Sequence, residues 1–314
     1  MKKIAIISNL RMLFIFFMLI NIKEINKDIF FVLDEDIRIN EKLKNYIRVK
    51  RCKNLLEATV KKILYFFYFK YLIKKLDFNN ILVYGCDHIT GAKFFLKRYN
   101  FFLLEDGTRN YREKKCVGTL KAKFYFMKKS EIHRNVKKIY LTGLAPIPKE
   151  IESKVEIINL KELWNKKAEE EKKEILDIFG FDENLINKIK NKKNILFTQP
   201  LSEDGFISEE EKMKLYKKIV SNYLQKDLVI KTHPREKTDY KKYFPEIEIL
   251  NQSFPAELFD LLDIKFEKAI TIFSTAALGF SKDSEIDFYG TRVHPKLLKL
   301  WGDSEKIMRA NKIL

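Results

Sequence analysis

Hydrophobic and polar positions fall in blocks along this chain. Short apolar runs end in small or polar residues: KIAIIS, IFFVLD, ILVYG, FFLLED and KIYLTG in the first half, and NILFTQ, DLVIKT, IEIL and AITIFS in the second. Runs this short, with no polar residue inside them, predict strands buried on both faces. Between them lie longer segments with apolar residues at helical spacing: NLLEATVKKILYFFYFKYLIKKL, ELWNKKAEEEKKEILDIFG and SEEEKMKLYKKIVSNYL. Strand–helix alternation predicts parallel sheets covered by helices, and two series predict two α/β domains. Pro146 and Pro148 break local structure in GLAPIPKEIES, and no strand pattern resumes until KVEIINL. The expected boundary therefore follows residue 150, giving domains over 1–150 and 151–314, a division that 314 residues easily supports.

The amino terminus, MKKIAIISNLRMLFIFFMLI, imitates a signal peptide. Arg11 interrupts it, however, and the unbroken apolar run from Met12 to Ile20 is too short to span a bilayer. No small-residue cleavage site follows. The expectation is a first strand at Lys3–Ser8, a turn at Ser8–Asn9 and then a buried helix, in a cytoplasmic protein. Cys52, Cys86 and Cys116 are an odd count without close pairs. That argues against a disulfide framework or a CxxC zinc site and for a reducing compartment.

Charge adds a partner class. The 61 Lys and Arg against 43 Asp and Glu leave +18, which favours a membrane surface, a nucleic acid or a phosphorylated substrate. Richness in Lys, Ile and Asn is also what an AT-rich genome produces, so the charge carries reduced weight. The segment Val60–Leu76 places aromatics between lysine pairs. Such a helix can lie on an anionic membrane, and the same pattern equally suits a core helix capped by lysines.

In parallel α/β sheets ligands bind beyond the carboxyl ends of the strands. There the first half offers Ser8–Asn9, Tyr84–Gly85, Glu105–Asp106–Gly107 and Thr142–Gly143. The second offers Thr198–Gln199 with Glu203–Asp204–Gly205, then Lys231–Thr232–His233–Pro234–Arg235, then Ser274–Thr275. Carboxylates can take a proton. A histidine between Lys231 and Arg235 can hold and protonate a phosphate. Ser274 and Thr275 before AALGF offer hydroxyls and amides at a helix N-terminus. The set suits a displacement in which a hydroxyl attacks and a nucleotide phosphate leaves, without a metal if cations and N–H groups take the leaving charge. DED at Asp34–Asp36 is a weak match to the metal-binding DxD triplet of many metal-dependent sugar transferases. P-loop, GxGxxG, HExxH and GxSxG patterns are missing. Taken singly, EDG is a common turn, His294–Pro295 reads as structural or near a rim, and His88 and His133 read as structural or surface groups.

Together, FLLEDGTRNY, IKTHPRE and ITIFSTAALGF resemble a group of bacterial sialyltransferases marked by an acidic motif, an HP motif and a later Ser/Thr pair. With TQPLSEDGF before the HP motif, the chain is most similar to glycosyltransferase family 52, the lipooligosaccharide and capsule sialyltransferases. The resemblance implies a GT-B-type fold, two Rossmann-like domains facing a central cleft. The amino-terminal domain would lie on the acceptor side, and the carboxyl-terminal domain would bind the CMP-sugar. It implies inverting, metal-independent transfer of sialic acid from CMP-sialic acid to a terminal galactose or similar sugar. His233, with Pro234, would assist the phosphate, joined by Ser274, Thr275 and Lys231. Glu257 would bind the ribose or base, and Gly143 would let the chain approach the cytosine. Asp204 is favoured as general base over Asp106, and the duplicated EDG leaves both open; Glu105 and Glu203 would be acceptor-side or supporting groups. Further expectations are a glycolipid acceptor, peripheral attachment to the inner face of the bacterial cytoplasmic membrane, room for a homodimer, and no nucleic acid. The rivals are a GT-B transferase using CMP-Kdo or a UDP-sugar, and a non-catalytic basic module binding membrane or nucleic acid.

Overall fold

The computed structural model describes residues 2–38, 42–50, 54–75, 81–111, 133–274, 277 and 284–306. Cys52, Cys116 and Thr275 lie outside them. The chain forms two compact units, Met1–Ile178 and Phe179–Leu314.

The first unit runs β1 (Lys2–Ile7), α1 (Leu10–Leu19), β2 (Ile29–Asp34), β3 (Tyr46–Val49), α2 (Leu55–Lys75), β4 (Ile81–Gly85), α3 (Ala92–Leu96), β5 (Asn100–Leu104), β6 (Val136–Leu141), β7 (Val155–Ile157), α4 (Leu160–Asn165) and α5 (Glu169–Ile178). Its strands form one parallel sheet in the order β3-β2-β1-β4-β5-β6-β7. The apolar stretch after Arg11 is α1, opened by the Asn9 side chain, which accepts from the Met12 N–H at 2.8 Å. Met12 to Phe17 are fully buried. Phe16 meets Phe31 edge-on at 5.7 Å, and Phe14 meets Trp164 at 6.3 Å. The run is apolar all round because its whole circumference is covered.

KVEIINL supplies β7, which pairs with β6 through Ile139–Val155 and Leu141–Ile157. Residues 151–178 therefore belong to the first unit, and the boundary lies at Ile178/Phe179 rather than at 150/151. Prolines mark a local break in the backbone; which sheet the next strand joins is decided by hydrogen bonding to a partner, and β6 presented a free edge.

Helix α2 carries two apolar stripes. Its inner stripe centres on fully buried Phe69, whose ring lies 4.7 Å from that of Phe95. Gly91, at the start of α3, permits that approach, since a Cβ there would fall 2.2 Å from the Phe69 ring. The outer stripe is Leu56, Val60, Ile63, Leu64, Phe67 and Tyr71, each between 50% and 77% exposed. Steps of three and four residues keep these side chains on one side of the helix. Lys62, Lys70, Lys74 and Lys75 are exposed beside them. Among the described residues no helix is long and apolar enough to cross a membrane.

The second unit runs α6 (Glu183–Ile189), β8 (Asn194–Phe197), α7 (Glu209–Val220), β9 (Leu228–Lys231), α8 (Tyr240–Tyr243), β10 (Glu248–Leu250), α9 (Glu257–Leu261), β11 (Lys268–Thr271), β12 (Glu285–Phe288) and α10 (Pro295–Trp301). The parallel sheet order is β10-β9-β8-β11-β12. Leu196, Ile230 and Ile270 of the central strands pack with Tyr216, Tyr240 and Phe244. Ser208 and Glu211 close a capping box at the start of α7.

Candidate functional site

In the first unit, β1, β4, β5 and β6 are sequential neighbours in the sheet, so the residues after them line one edge. The strand order reverses between β1 and β4, the position where open α/β sheets form a ligand crevice. Glu105 and Asp106 leave β5 together and meet opposite fates. The Glu105 carboxylate is fully buried. It takes Arg11 Nη2 at 2.6 Å, the Thr142 amide at 2.7 Å, Thr142 Oγ1 at 2.8 Å and the Tyr111 hydroxyl. The Tyr111 hydroxyl in turn accepts from the Gly143 and Leu144 amides at 2.9 and 3.1 Å. Burial and Glu105 push that phenol up to about 12, so it remains a donor to the carboxylate. Glu105 is thus an anchor joining α1, β5 and the loop after β6, with no face left for a substrate. Arg11, the residue that broke the apolar run, is there for this carboxylate.

Asp106 faces outward with a side chain 18% exposed. Its Oδ1 accepts from Asn9 Nδ2 at 2.6 Å and Ser8 Oγ at 3.4 Å. Its Oδ2 lies 3.6 Å from His88 Nε2 and 3.7 Å from Arg109 Nη1. Asn110 Oδ1 holds its amide at 2.7 Å. His88, expected to be structural or a surface group, stands between two carboxylates: its Nδ1 is 3.7 Å from Asp87 Oδ1. Burial opposes its charge, but the hydrogen bonds to Asp87 and Cys86 and the charge of Asp106 prevail, and His88 is pushed up to about 10. Gly143 has φ +81 and open space where a Cβ would stand.

The second EDG repeats the division of labour. Glu203 accepts from the Lys237 amide at 2.7 Å and from Lys212 Nζ at 2.9 Å. Burial would raise it, yet the Lys237 amide and Lys212 bring it down to about 2. Lys212, fully buried in α7, also lies 3.3 Å from Glu209 and 3.6 Å from Glu236. Asp204 is outward, 23% exposed, and paired with Arg235. Gly107 and Gly205 take φ +54 and +74, left-handed values that side chains disfavour and that let each motif turn after its aspartate.

His233 follows β9. Its Nδ1 accepts from the Arg235 amide at 3.2 Å, and its own amide donates to Glu236 Oε2 at 2.7 Å. With Nδ1 an acceptor, the ring proton resides on Nε2. Burial, then Arg235 and Lys231, pull the imidazole down to about 4, so it is neutral at physiological pH. Pro234 forms the turn between His233 and Arg235. Glu236, overlooked in the sequence, also accepts from Thr198 Oγ1 and from Tyr240. It ties the ends of β8 and β9 to α8.

Two expectations change. Lys231 does not turn to the loop's outer face: its ammonium bonds the Thr232 and Gln252 carbonyls at 3.1 and 2.9 Å and lies 4.7 Å from the Phe254 ring. Burial pulls it down to about 8. The amides before the Ser/Thr pair are also engaged, Phe273 N–H by Gln199 Oε1 at 3.0 Å and Ser274 N–H by Thr271 Oγ1 at 2.8 Å. The Ser274 amide is therefore not open to a ligand. Glu257 opens α9 and is partly exposed. His294 caps α10 by accepting from the Lys296 amide at 3.2 Å, the structural role expected of the second HP pair.

A cleft of about 430 Å³ opens beside the second EDG, lined by Ser202, Glu203, Glu209, Thr238 and Tyr243 among others. His233 and Ser274 do not line it, and both its glutamates are committed to Lys212. Asp34 of the DED triplet is buried and accepts from the Asp36 amide at 3.2 Å, closing a turn. Among the described residues no three His, Cys, Asp or Glu side chains gather in a way that could hold a metal ion.

Comparison with known proteins places this geometry in a family. An uncharacterized protein of Haemophilus influenzae is 44% identical over 310 residues, covering 97% of this chain and 99% of its own. The GT-B domain of a Photobacterium damselae sialyltransferase superposes with a TM-score of 0.58 at 12% identity, covering 100% of this chain and 97% of that one. An α/β-galactoside α-2,3-sialyltransferase of Photobacterium phosphoreum gives 0.56 at 11%, covering 99% and 95%. Identities this low speak for the GT-B-type α/β fold alone. The description of glycosyltransferase family 52 matches residues 26–297, and across that span run both EDG turns, the HP loop and Ser274: the chain belongs to glycosyltransferase family 52.

Proposed function

We propose that this glycosyltransferase is an inverting sialyltransferase that uses CMP-sialic acid and a galactose-terminated glycan. The observation that carries the reading is His233. It is a half-buried neutral imidazole at a strand end, with its proton fixed on Nε2 by the Arg235 amide. Such a group donates to a leaving phosphate without repelling or over-binding it beforehand. The acceptor hydroxyl attacks the anomeric carbon while the bond from that carbon to the phosphate oxygen breaks. The bonding pair leaves with CMP, and one displacement inverts the centre. The hydroxyl proton passes to Asp204, which Arg235 holds in place. His233 Nε2–H and the Ser274 hydroxyl, with Thr275 beyond the described residues, take the phosphate charge, and no metal is required. Glu257 serves the nucleoside. A donor panel of CMP-sialic acid, CMP-Kdo and UDP-sugars, with release of CMP or UDP measured, tests the assignment. CMP release is expected from CMP-sialic acid only; turnover of another donor in its place overturns the sugar assignment.

The acceptor is proposed to be lipid-linked, with the enzyme peripheral on the inner face of the cytoplasmic membrane. The outer stripe of α2 supports this: apolar and aromatic side chains flanked by lysines suit the acyl boundary and anionic headgroups together. Wild-type protein should float with phosphatidylglycerol vesicles and not with phosphatidylcholine vesicles, and Ile63→Glu with Phe67→Glu should stay behind. Equal flotation of the double variant would remove α2 from the membrane contact. A concentration-dependent dimer lost in the same variant would make the stripe an interface between two copies.

A further inference from the structure

At the crevice of the first unit one carboxylate oxygen is anchored and the other is offered. Asp106 Oδ1 is held by Asn9 at 2.6 Å. Oδ2 faces His88 Nε2 and Arg109 Nη1 at 3.6 and 3.7 Å, beyond the roughly 2.7–3.2 Å of a hydrogen bond. The three groups thus converge without closing on one another. A hydroxyl placed between them could donate to Oδ2 and accept from His88 or Arg109, converting long ion-pair contacts into short bonds. Open space adjoins this edge, since a Cβ at Gly107 or Gly143 would meet nothing within 4 Å.

The charge balance selects the ligand class. Asp87 and Asp106 offset protonated His88 and Arg109, and Glu105 offsets Arg11. A neutral polyol loses nothing in such a setting, whereas a phosphate or an amine would find no net charge to attract it. His88 keeps its proton because a carboxylate faces each ring nitrogen.

We infer that His88 and Arg109, with Asp106, grip a hydroxyl of the acceptor sugar, His88 donating from Nε2 to the oxygen that donates to Asp106 Oδ2. The inference rests on the sialyl-transfer reading only for its assay. It makes His88 an acceptor-binding residue, and it gives Asp106 an orienting task distinct from the base.

The test separates acceptor from donor. With CMP-sialic acid, CMP release is measured against lactose concentration and also without acceptor, where the sugar passes to water. His88→Ala should raise the KM for lactose about 10-fold to 100-fold, the scale of one hydrogen bond to a charged group. Donor KM and hydrolysis to water should be unchanged. His88→Gln, whose amide N–H can occupy the Nε2 position, should recover part of the loss, and it substitutes for the alanine variant should that one fail to fold. An unchanged lactose KM in folded His88→Ala, or a loss seen equally in hydrolysis to water, overturns the inference. If wild type turns over no CMP-sialic acid, the sialyl-transfer reading fails, and binding decides this one by saturation-transfer NMR with lactose and methyl β-glucoside. Sugar binding lost in His88→Ala upholds it; binding retained, or absent from wild type, overturns it.

Discussion

His233→Ala should lower kcat about 10²–10⁴-fold while the protein still folds, the range expected when a group that manages a proton or leaving charge is removed. The side chain is half-buried at a loop, and the fold-holding bond there is its backbone amide to Glu236, which alanine keeps. His233→Gln distinguishes the two ways the imidazole can act. A glutamine N–H reproduces hydrogen bonding to the phosphate but not proton delivery, so rescue would assign His233 to binding the leaving charge. The pH profile gives an independent reading. Burial and the cations Arg235 and Lys231 depress this histidine to about 4, so the free enzyme carries neutral imidazole across the physiological range. A reaction needing only Nε2–H should show no fall in kcat/KM attributable to this group between about pH 5 and about pH 8. A reaction needing imidazolium in the free enzyme would lose about tenfold per pH unit above pH 4. Near-full activity of His233→Ala would remove the residue from the mechanism.

Asp204→Asn and Asp106→Asn, measured side by side, should separate base from acceptor orienter. Loss of a general base acts on the chemical step, and Asp204→Asn should cost about 10²–10⁴ in kcat with little change in acceptor KM. Asp106→Asn removes an acceptor for the sugar hydroxyl's proton at Oδ2 and should appear mainly as a raised acceptor KM. The supporting geometry is asymmetric. Asp204 shares its anchor, Arg235, with the loop that fixes the His233 tautomer, so the proposed base and the proposed phosphate group are held by one backbone turn. Asp106 is held instead by Asn9 and Ser8 at the head of α1, beside His88. The opposite outcome, with kcat lost in Asp106→Asn and only KM altered in Asp204→Asn, would move the base to the amino-terminal unit.

Much of the scaffold was legible beforehand. Strands buried on both faces need unbroken apolar runs, so β1, β2, β4, β5, β8, β9 and β11 lie where those runs lie. The strands that escaped notice are edges. β3 (YIRV) and β12 (EIDF) have one neighbour each, are half exposed, and carry the charges that exposure permits. The long ELWNKKAEEEKKEILDIFG pattern also divides into α4 and α5, because periodicity reports a buried face but not a break of a few residues in the backbone.

By itself, then, the sequence determined the two α/β series, the polar residues at their strand ends and the family they match, because burial of a run and the chemistry of a turn are local properties. Only the tertiary structure decided which acid of each EDG is tied down and which faces outward. Glu105 is buried because Arg11, Thr142 and Tyr111 converge on it from elements far apart in sequence, and Glu203 is tied down because Lys212 reaches it from α7. Asp106 and Asp204, one residue on, point the other way and remain open to solvent. His88, which reads from the sequence as a structural or surface group, stands beside Asp106 because of the order β1-β4-β5. A residue's partners are set by strand order across the sheet, a non-local pairing that no window along the chain contains.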